Sequence, residues 1–592
     1  HRPRGFLGSG SEEPNAIVQV LKNNAQTEPN IRATQIEIFE GFEAKSQNCW
    51  PNVNFDIGEI NNLFSPILPA GFYYKTFMWP AKLWKTYEYF IRKSAGLGVS
   101  ATARDPDIYD HKYHHCDILI IGTGPAGLTA AMIATKSGKK VLLVDEKAEH
   151  GGSLLGSNDE INSINQETPK DWIKKTYLEL LKNRNVKILN RTSVAAYHNY
   201  NYLIMMENLT DHLNEDDKKN KIRQRLWKVR AKKVILATGS IERTMVFDSN
   251  DRPGVMLSSA VRKYLNHYAV KCGNSATIFA NNDDAYETAL SLHNKGVKVK
   301  AIIDIRDSSE GDLVKKCINL GLNIFWKHAV VSVGGHKKIN KIFIMQLSNN
   351  NNSVIGKKIK IECDLLCVSG GYTPAVHLFT QSGGKLTFDE KKSYFYPSKT
   401  NLDQISVGSC AGIFNLKKIF EDTNIKVNKF LNTSIKNDIT ITDNKSGKFE
   451  NIWLLPSNKV PGKTKSFIDF QNDSTANDIK LALREGFKSI EHVKRYTTTG
   501  MATDQGKIAN MHALGIISEI TKTKMGELGT TTFRPPYTPL TFGAMVGRNV
   551  GEFFDTFRKT PMHSWHKKNG AKFEDVGQWK RAWYYPVNNE TM

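Results

Sequence analysis

DILIIGTGPAGLTAAMIATKSGKKVLLVDEKAEHGG, residues 117–152, is the stretch whose reading decides the fold. Ile118 to Ile121 is a short apolar run ended by glycine, the pattern of a buried parallel strand. Gly122, Gly124 and Gly127 follow at GxGxxG spacing. The first glycine permits the tight turn off the strand. The second lets backbone approach a pyrophosphate, and the third lets the next helix pack close to the sheet. Pro125 suits the first helical turn, where no amide hydrogen is needed. The free amides there favour phosphate. Val141 to Val144 is a second strand, and Asp145 at its end is placed to accept a ribose hydroxyl. Strand, glycine turn, helix, strand and acid in register point to a dinucleotide site.

The rest of the chain must be large around this unit. Its 592 residues exceed one core, so roughly three to five domains are expected. The seven cysteines are scattered, and Cys363 and Cys367 have no second pair or histidine cluster beside them. That spacing argues against a metal site or a disulfide framework and fits a reduced, cytoplasmic compartment. No run of 18 apolar residues suggests a membrane span. The formal charge is +22, yet the lysines are dispersed, as in Lys218-Lys219-Asn220-Lys221, with no nucleic-acid-reading module. They read as solvated faces rather than a nucleic-acid surface.

Outward from the nucleotide unit, Val234 to Leu236 is another buried strand running into the small residues Ala237 to Ser240. Ala276 to Asp304 repeats strand, turn, helix, strand and acid. Its turn reads Asn281-Asn282-Asp283-Asp284 without glycine, and acids at a helix start repel a pyrophosphate. This second nucleotide-binding shape is therefore read as lacking a working phosphate site. Asp364 to Ser369 and Ile405 to Gly412 read as strands returning to the first unit. One nucleotide fold interrupted by another is the layout of the two-dinucleotide-binding flavoproteins, an α/β class. Thr475 and Asp478 have capping-box spacing before a helix. YTTTGMATDQGK, 496–507, with Lys494, Arg495 and Lys507 around it, suits either a phosphate or a turn-rich packed surface. Two stretches are unusually aromatic. One, Gly71–Gly98, carries Tyr73, Phe77, Trp79 and Trp84 and is expected to be a packed connector helix, with a face for a partner protein as the alternative. The other, 563–586, carries Trp565, Trp579 and Trp583 and is expected to meet a partner or a further domain. The expected division is 1–110, an N-terminal ferredoxin- or ubiquitin-like remnant and connector; 111–265, the first nucleotide-binding part; 266–362, the inserted nucleotide fold; 363–440, the return; and 441–592, a small helical domain and tail.

Long motifs give the chain a family likeness: RPRG and GSEEPNA near the start, GFYYKTFMWP, GTGPAGLTAA, FANNDDAYETAL, VKRYTTTGMATDQGK, GTTTFRPPYTP and FEDVGQWKRAWYYP. In these it resembles the alpha subunits of heterotetrameric sarcosine oxidases. The resemblance implies a chain shortened at both ends, without the family's C-terminal folate-binding domain. It implies an assembly with beta, gamma and delta subunits that converts sarcosine, tetrahydrofolate and oxygen to glycine, methylenetetrahydrofolate and hydrogen peroxide. FAD would lie in the beta subunit, FMN at the alpha–beta interface and NAD in this chain. Gly122, Gly124, Ala126 and Gly127 would line the NAD pyrophosphate. Asp145 and Glu146 would hold the adenosine ribose, Lys147 and Ser153 would touch the same nucleotide, and Val194 would lend its backbone to the adenine. Thr238, Gly239 and Gly408 would lie along the cofactor, and Lys494, Arg495, Thr498, Thr499 and Lys507 would face FMN. Amine and opine dehydrogenases resembling this family carry a cluster cysteine in a GM-x-x-C-QG pattern. Here Asp504 stands in that place, and no cysteine follows Cys410, so no thiolate cluster forms there.

No catalytic residue for the sarcosine chemistry is identifiable in this chain. The leading expectation is an oxidoreductase subunit, inactive alone, that binds NAD and shapes the FMN interface. The alternatives are a stand-alone pyridine-nucleotide-dependent flavin reductase, the alpha subunit of a related amine or opine dehydrogenase, and a structural subunit whose nucleotide never turns over. The absence of a Cys-x-x-x-x-Cys pair in the nucleotide domain weighs against the reductase.

Overall fold

The computed structural model describes residues 4–22, 27–47, 49–60, 79–437, 439–460, 462–554, 556–588 and 590–591. Two parallel-cored sheets dominate them. In the first, strand Ile108–Ile121 lies between Val141–Val144 and Ile222–Leu236. Val186–Leu189 extends one side. Tyr202–Asn208 and Thr192–His198 extend the other as an antiparallel ribbon, and Gln404–Ser406 pairs parallel with residues 234–236. Ile118, Leu119, Ile120 and Ile121 are at most 6% exposed, because both faces of this sheet are covered. Helix Pro125–Lys136 is built of Gly, Ala and Leu on its inner side and packs close, against helices Pro169–Leu181 and Leu416–Leu431.

Two of these strands, Ile108–Ile121 and Ile222–Leu236, are unusually long. Ile108–Ile121 pairs in parallel with Ile222–Leu236 from Ile108↔Ile222 to Ile121↔Leu236. At its beginning sits the short helix Phe542–Val546 from near the C-terminus. His111 Nε2 bonds the Ala544 carbonyl at 2.9 Å. A Cβ on Gly543 would stand 2.2 Å from the Tyr109 ring, so only glycine admits that approach.

The second sheet has the order Val255–Leu257, Leu365–Ser369, Ser275–Ala280, Lys298–Asp304, Ile324–Trp326, all parallel. An antiparallel meander, His328–Gly334, Lys341–Leu347 and Val354–Ile361, adjoins it. This corrects two expectations. Leu365–Ser369 does not return to the first sheet; it is a central strand of the second, with Ala280 opposite Ser369. The inserted unit also begins earlier than residue 266, since Val255–Leu257 and helix Ser258–Asn266 pack with it. A run as uniformly apolar as LLCVS fits either parallel sheet, so its pattern does not say which. The chain regains the first sheet at Gln404–Ser406.

Strands Thr27–Arg32, Ile17–Leu21 and Glu43–Ser46 form a small antiparallel sheet near the N-terminus. Toward the C-terminus, helices Ala476–Arg484, Ile490–Thr497 and Ala509–Thr521 share one core. The first opens on the Thr475–Asp478 capping box expected from the sequence. Gly515 is glycine because Trp453 lies where its Cβ would be, 2.1 Å from Cδ2. Of the aromatic connector, Tyr73 and Phe77 lie outside the described residues. Its helix Trp84–Ser94 buries no residue, contrary to the packed connector expected. Strands Arg558–Lys559, Trp579–Tyr584 and Lys572–Val576 form a final sheet, where Trp565, Trp579 and Trp583 are 53, 45 and 47% exposed.

Candidate functional site

The C-terminal ends of the first sheet open into a cavity of about 950 Å³ that reaches the second sheet's helices. Its floor is the glycine turn. Gly122 has φ +103°, and a Cβ there would lie 2.3 Å from the Ala237 carbonyl oxygen. A Cβ on Gly127 would lie 1.8 Å from the Gly122 oxygen, so this glycine brings helix against strand. Gly124 differs. Its nearest obstacle would be the Gly152 Cα at 4.0 Å, and it lines the cavity. Open space above a helix N-terminus is what a pyrophosphate requires. Ala126 and Ser153 line the same floor, whereas Gly127 and Gly408 lie behind it. Gly408, at φ +71°, has Ala126 where its Cβ would go. Its neighbours Val407 and Ser409 reach the lumen instead.

The two acids after the second strand divide their work. Asp145 Oδ2 accepts from the Thr123 amide and hydroxyl, both at 2.7 Å, and Oδ1 accepts from the Lys147 amide at 2.9 Å. It therefore fixes the glycine turn to the strand end. Glu146 lines the cavity, and desolvation between its walls raises its carboxyl pKa. Burial works against the Lys147 ammonium, but Glu146, Glu12 and Asp145 together hold its pKa above the ordinary value. Val194, Thr238 and Gly239 line the cavity too. The Thr238 hydroxyl is turned to the Ala375 carbonyl at 2.8 Å.

At the far end, the second helix start is already occupied. Asp284 takes Arg262 at 3.1 Å and the Tyr372 hydroxyl at 2.6 Å. Asp283 takes Arg306 at 2.7 Å. The second helix start thus carries two acids already paired within the protein, where a phosphate would need free amides and no negative charge. Glu242 lies nearby and accepts from the Ser259 amide and hydroxyl; burial, aided by Asp284, raises its pKa to about 7. Asp304, the acid that ends the repeated pattern, is wholly buried against Arg306 and Tyr286 and does not line the cavity.

Sequence reading missed several cavity residues. Ser9, Ser11 and Glu12 come from the N-terminal loop, His377 and Leu378 from the return segment, and Tyr537 and Thr538 from the C-terminal region. Only the long motifs containing Glu12 and Tyr537 drew attention to them.

The five residues expected to face FMN are not gathered on one face. Lys494 and Thr499 border a void of about 10 Å³, no larger than a water needs. The Thr498 hydroxyl is bonded to the Thr497 carbonyl at 2.6 Å. Arg495 is exposed beside Glu491. Lys507 is buried, donates to the Tyr537 carbonyl at 3.1 Å, and burial lowers its pKa to about 7.

Three family models match: the pyridine nucleotide-disulphide oxidoreductase model over 119–405, the sarcosine oxidase A3 domain over 463–548, and a 2Fe-2S iron-sulfur cluster binding domain over 1–49. An iron–sulfur cluster does not fit the last. A [2Fe–2S] centre needs four ligands, mostly thiolates. Residues 1–49 hold one cysteine, Cys49, and the described residues contain no group of three or more metal-ligating side chains. L-proline dehydrogenase from P. horikoshii shares the fold, with a TM-score of 0.53 at 18% identity over 76% of this chain and 84% of its own. Two curated relatives align with all of the chain: sarcosine oxidase subunit alpha of Rhizobium meliloti (strain 1021) at 40% identity and that of Corynebacterium sp. (strain P-1) at 35%. The chain spans 58% and 57% of their lengths. Identity of 40% and 35% along the whole chain, with the matching A3 domain, places the chain in the sarcosine oxidase alpha-subunit family.

Proposed function

We propose that this chain binds NAD as part of a sarcosine oxidase and is inactive in sarcosine oxidation by itself. The carrying observation is that Gly124 lines the cavity and, unlike Gly122 and Gly127, has open space where a Cβ would stand, with nothing closer than 4.0 Å. The amides at the start of helix Pro125–Lys136 face negative charge there. Both acids line the cavity, but the Asp145 oxygens already accept from Thr123 and Lys147, so Glu146 is the residue to accept ribose hydroxyls. When bound, NAD supplies a nicotinamide able to exchange a hydride. The chain's own residues bind and orient it: Asp145 holds the turn and Lys147 balances charge. The acids Asp283 and Asp284 at the second helix start disfavour a second pyrophosphate, and with it the stand-alone reductase. Sarcosine oxidation at FAD, oxygen reduction at FMN, transfer to tetrahydrofolate, and assembly with beta, gamma and delta subunits are assigned to the whole complex by family likeness.

Denaturing the purified chain should release NAD in near-equal amount to protein, read by chromatography. Glu146→Gln should lose most of it. Release of FAD instead would refute the assignment, as would robust peroxide formation from sarcosine by the chain alone.

A further inference from the structure

The cavity's adenosine end is walled by two stretches that belong to neither nucleotide-binding unit. One is the loop before the first strand. Glu13 is fully buried, and its carboxylate accepts from the amides of Leu7, Gly8 and Asn15 at 2.6–2.7 Å. Glu12 accepts from the amides of Ser9 and Gly10 at 2.7 and 2.9 Å. Two side chains thus fix the loop from inside and leave Ser9, Ser11 and Glu12 on the cavity wall. Glu12 is near enough to Glu146, Lys147 and Lys263 to shift all three electrostatically.

The other stretch is Tyr537–Thr538. Tyr537 is 7% exposed and stacks on His377, with 3.8 Å between ring centroids and 12° between planes. Lys507 lies 3.9 Å from the same ring's centroid and holds the Tyr537 carbonyl. Burial keeps His377 neutral, with its pKa lowered to about 3. Its Nδ1 is buried beside the cavity and makes no hydrogen bond to any described residue. The N-terminal region is tied to the C-terminal one. Arg32 donates to the Thr503 carbonyl, four residues before Lys507. Arg4 donates to the Phe470 carbonyl at 2.6 Å.

We infer that loop 8–13 and segment 537–538 are parts of the nucleotide site, closing its adenosine end so that a bound dinucleotide leaves only when one of them opens. This rests on the nucleotide reading above. It gives the N-terminal segment, whose residues 1–49 hold a single cysteine, a role as a wall. It also assigns Tyr537 and His377 as positioning residues on the base side.

Two measurements on the full chain test it. Hydrogen–deuterium exchange with and without NAD should show slower uptake in peptides spanning 7–14 and 533–541. Exchange of bound NAD for isotope-labelled NAD should be at least tenfold faster in Tyr537→Ala and unchanged in Tyr537→Phe, which keeps the stack. Equal uptake in both peptides, or wild-type exchange in Tyr537→Ala, overturns the closure even while NAD remains bound. Protection of 533–541 alone removes the N-terminal loop from the site. A chain that binds no NAD overturns the nucleotide reading and the closure together, so the two failures are distinct.

Discussion

Gly124 and Gly127 stand on one turn of chain but respond oppositely to an added side chain. A Cβ on Gly127 meets the Gly122 carbonyl at 1.8 Å, while one on Gly124 meets nothing closer than 4.0 Å. Gly127→Ala should therefore destabilise the fold by about 1–3 kcal/mol, the usual cost of overpacking. Gly124→Ala should leave the denaturation midpoint near wild type and still lower nucleotide content. A Gly124→Ala chain that keeps its full nucleotide would remove that glycine from the cradle. The glycines were legible because their spacing is local and their job is set by backbone. The division of labour between Asp145 and Glu146 was not. Both are acids at one strand end, and only the Thr123 amide and hydroxyl show which is already spent. Ser9 and Tyr537 were less legible still, since nothing local marks residues about 115 and 410 positions from the glycine-rich turn as its neighbours; that follows from tertiary packing alone.

At the scale of elements, the second nucleotide-like unit shows a motif kept in shape and changed in chemistry. Strand Lys298–Asp304 still ends on an acid, but Asp304 and Asp283 both grip Arg306, whose side chain is 2% exposed. Removing the guanidinium leaves two buried carboxylates uncompensated. Arg306→Met should thus lower the local opening free energy of strand Lys298–Asp304 by about 3–5 kcal/mol, read by amide exchange. An unchanged exchange rate would mean that the pair contributes no stability. The expectation of a failed phosphate site came from the missing glycines and the two acids; that the acids are internally paired needed coordinates. The strand Leu365–Ser369 was legible as a strand but not as a member of a particular sheet. Its five residues are buried on both faces, and such a run carries no alternation to fix its partner.

For the whole molecule, the cavity touches the first sheet, the second sheet's helices, the N-terminal loop and the C-terminal region. A nucleotide there binds only the assembled arrangement. Native-state binding of this kind adds about 2.7 kcal/mol at a hundredfold excess over Kd. A nucleotide-free preparation should melt at a lower temperature than the loaded chain and recover on addition of NAD, with adenosine alone restoring less. No recovery with NAD would deny that it bridges these parts. The parallel pair Ile108–Ile121 and Ile222–Leu236 runs under the whole arrangement. One end carries helix Phe542–Val546, and the other delivers Gly122 to the cradle. A strand rises about 3.3 Å per residue, so the two ends stand on the order of 40 Å apart. The pair is a ruler. Any body seated on that helix is held at a distance from the nucleotide set by the number of residues in a strand, and inserting two of them would lengthen the gap by about 7 Å.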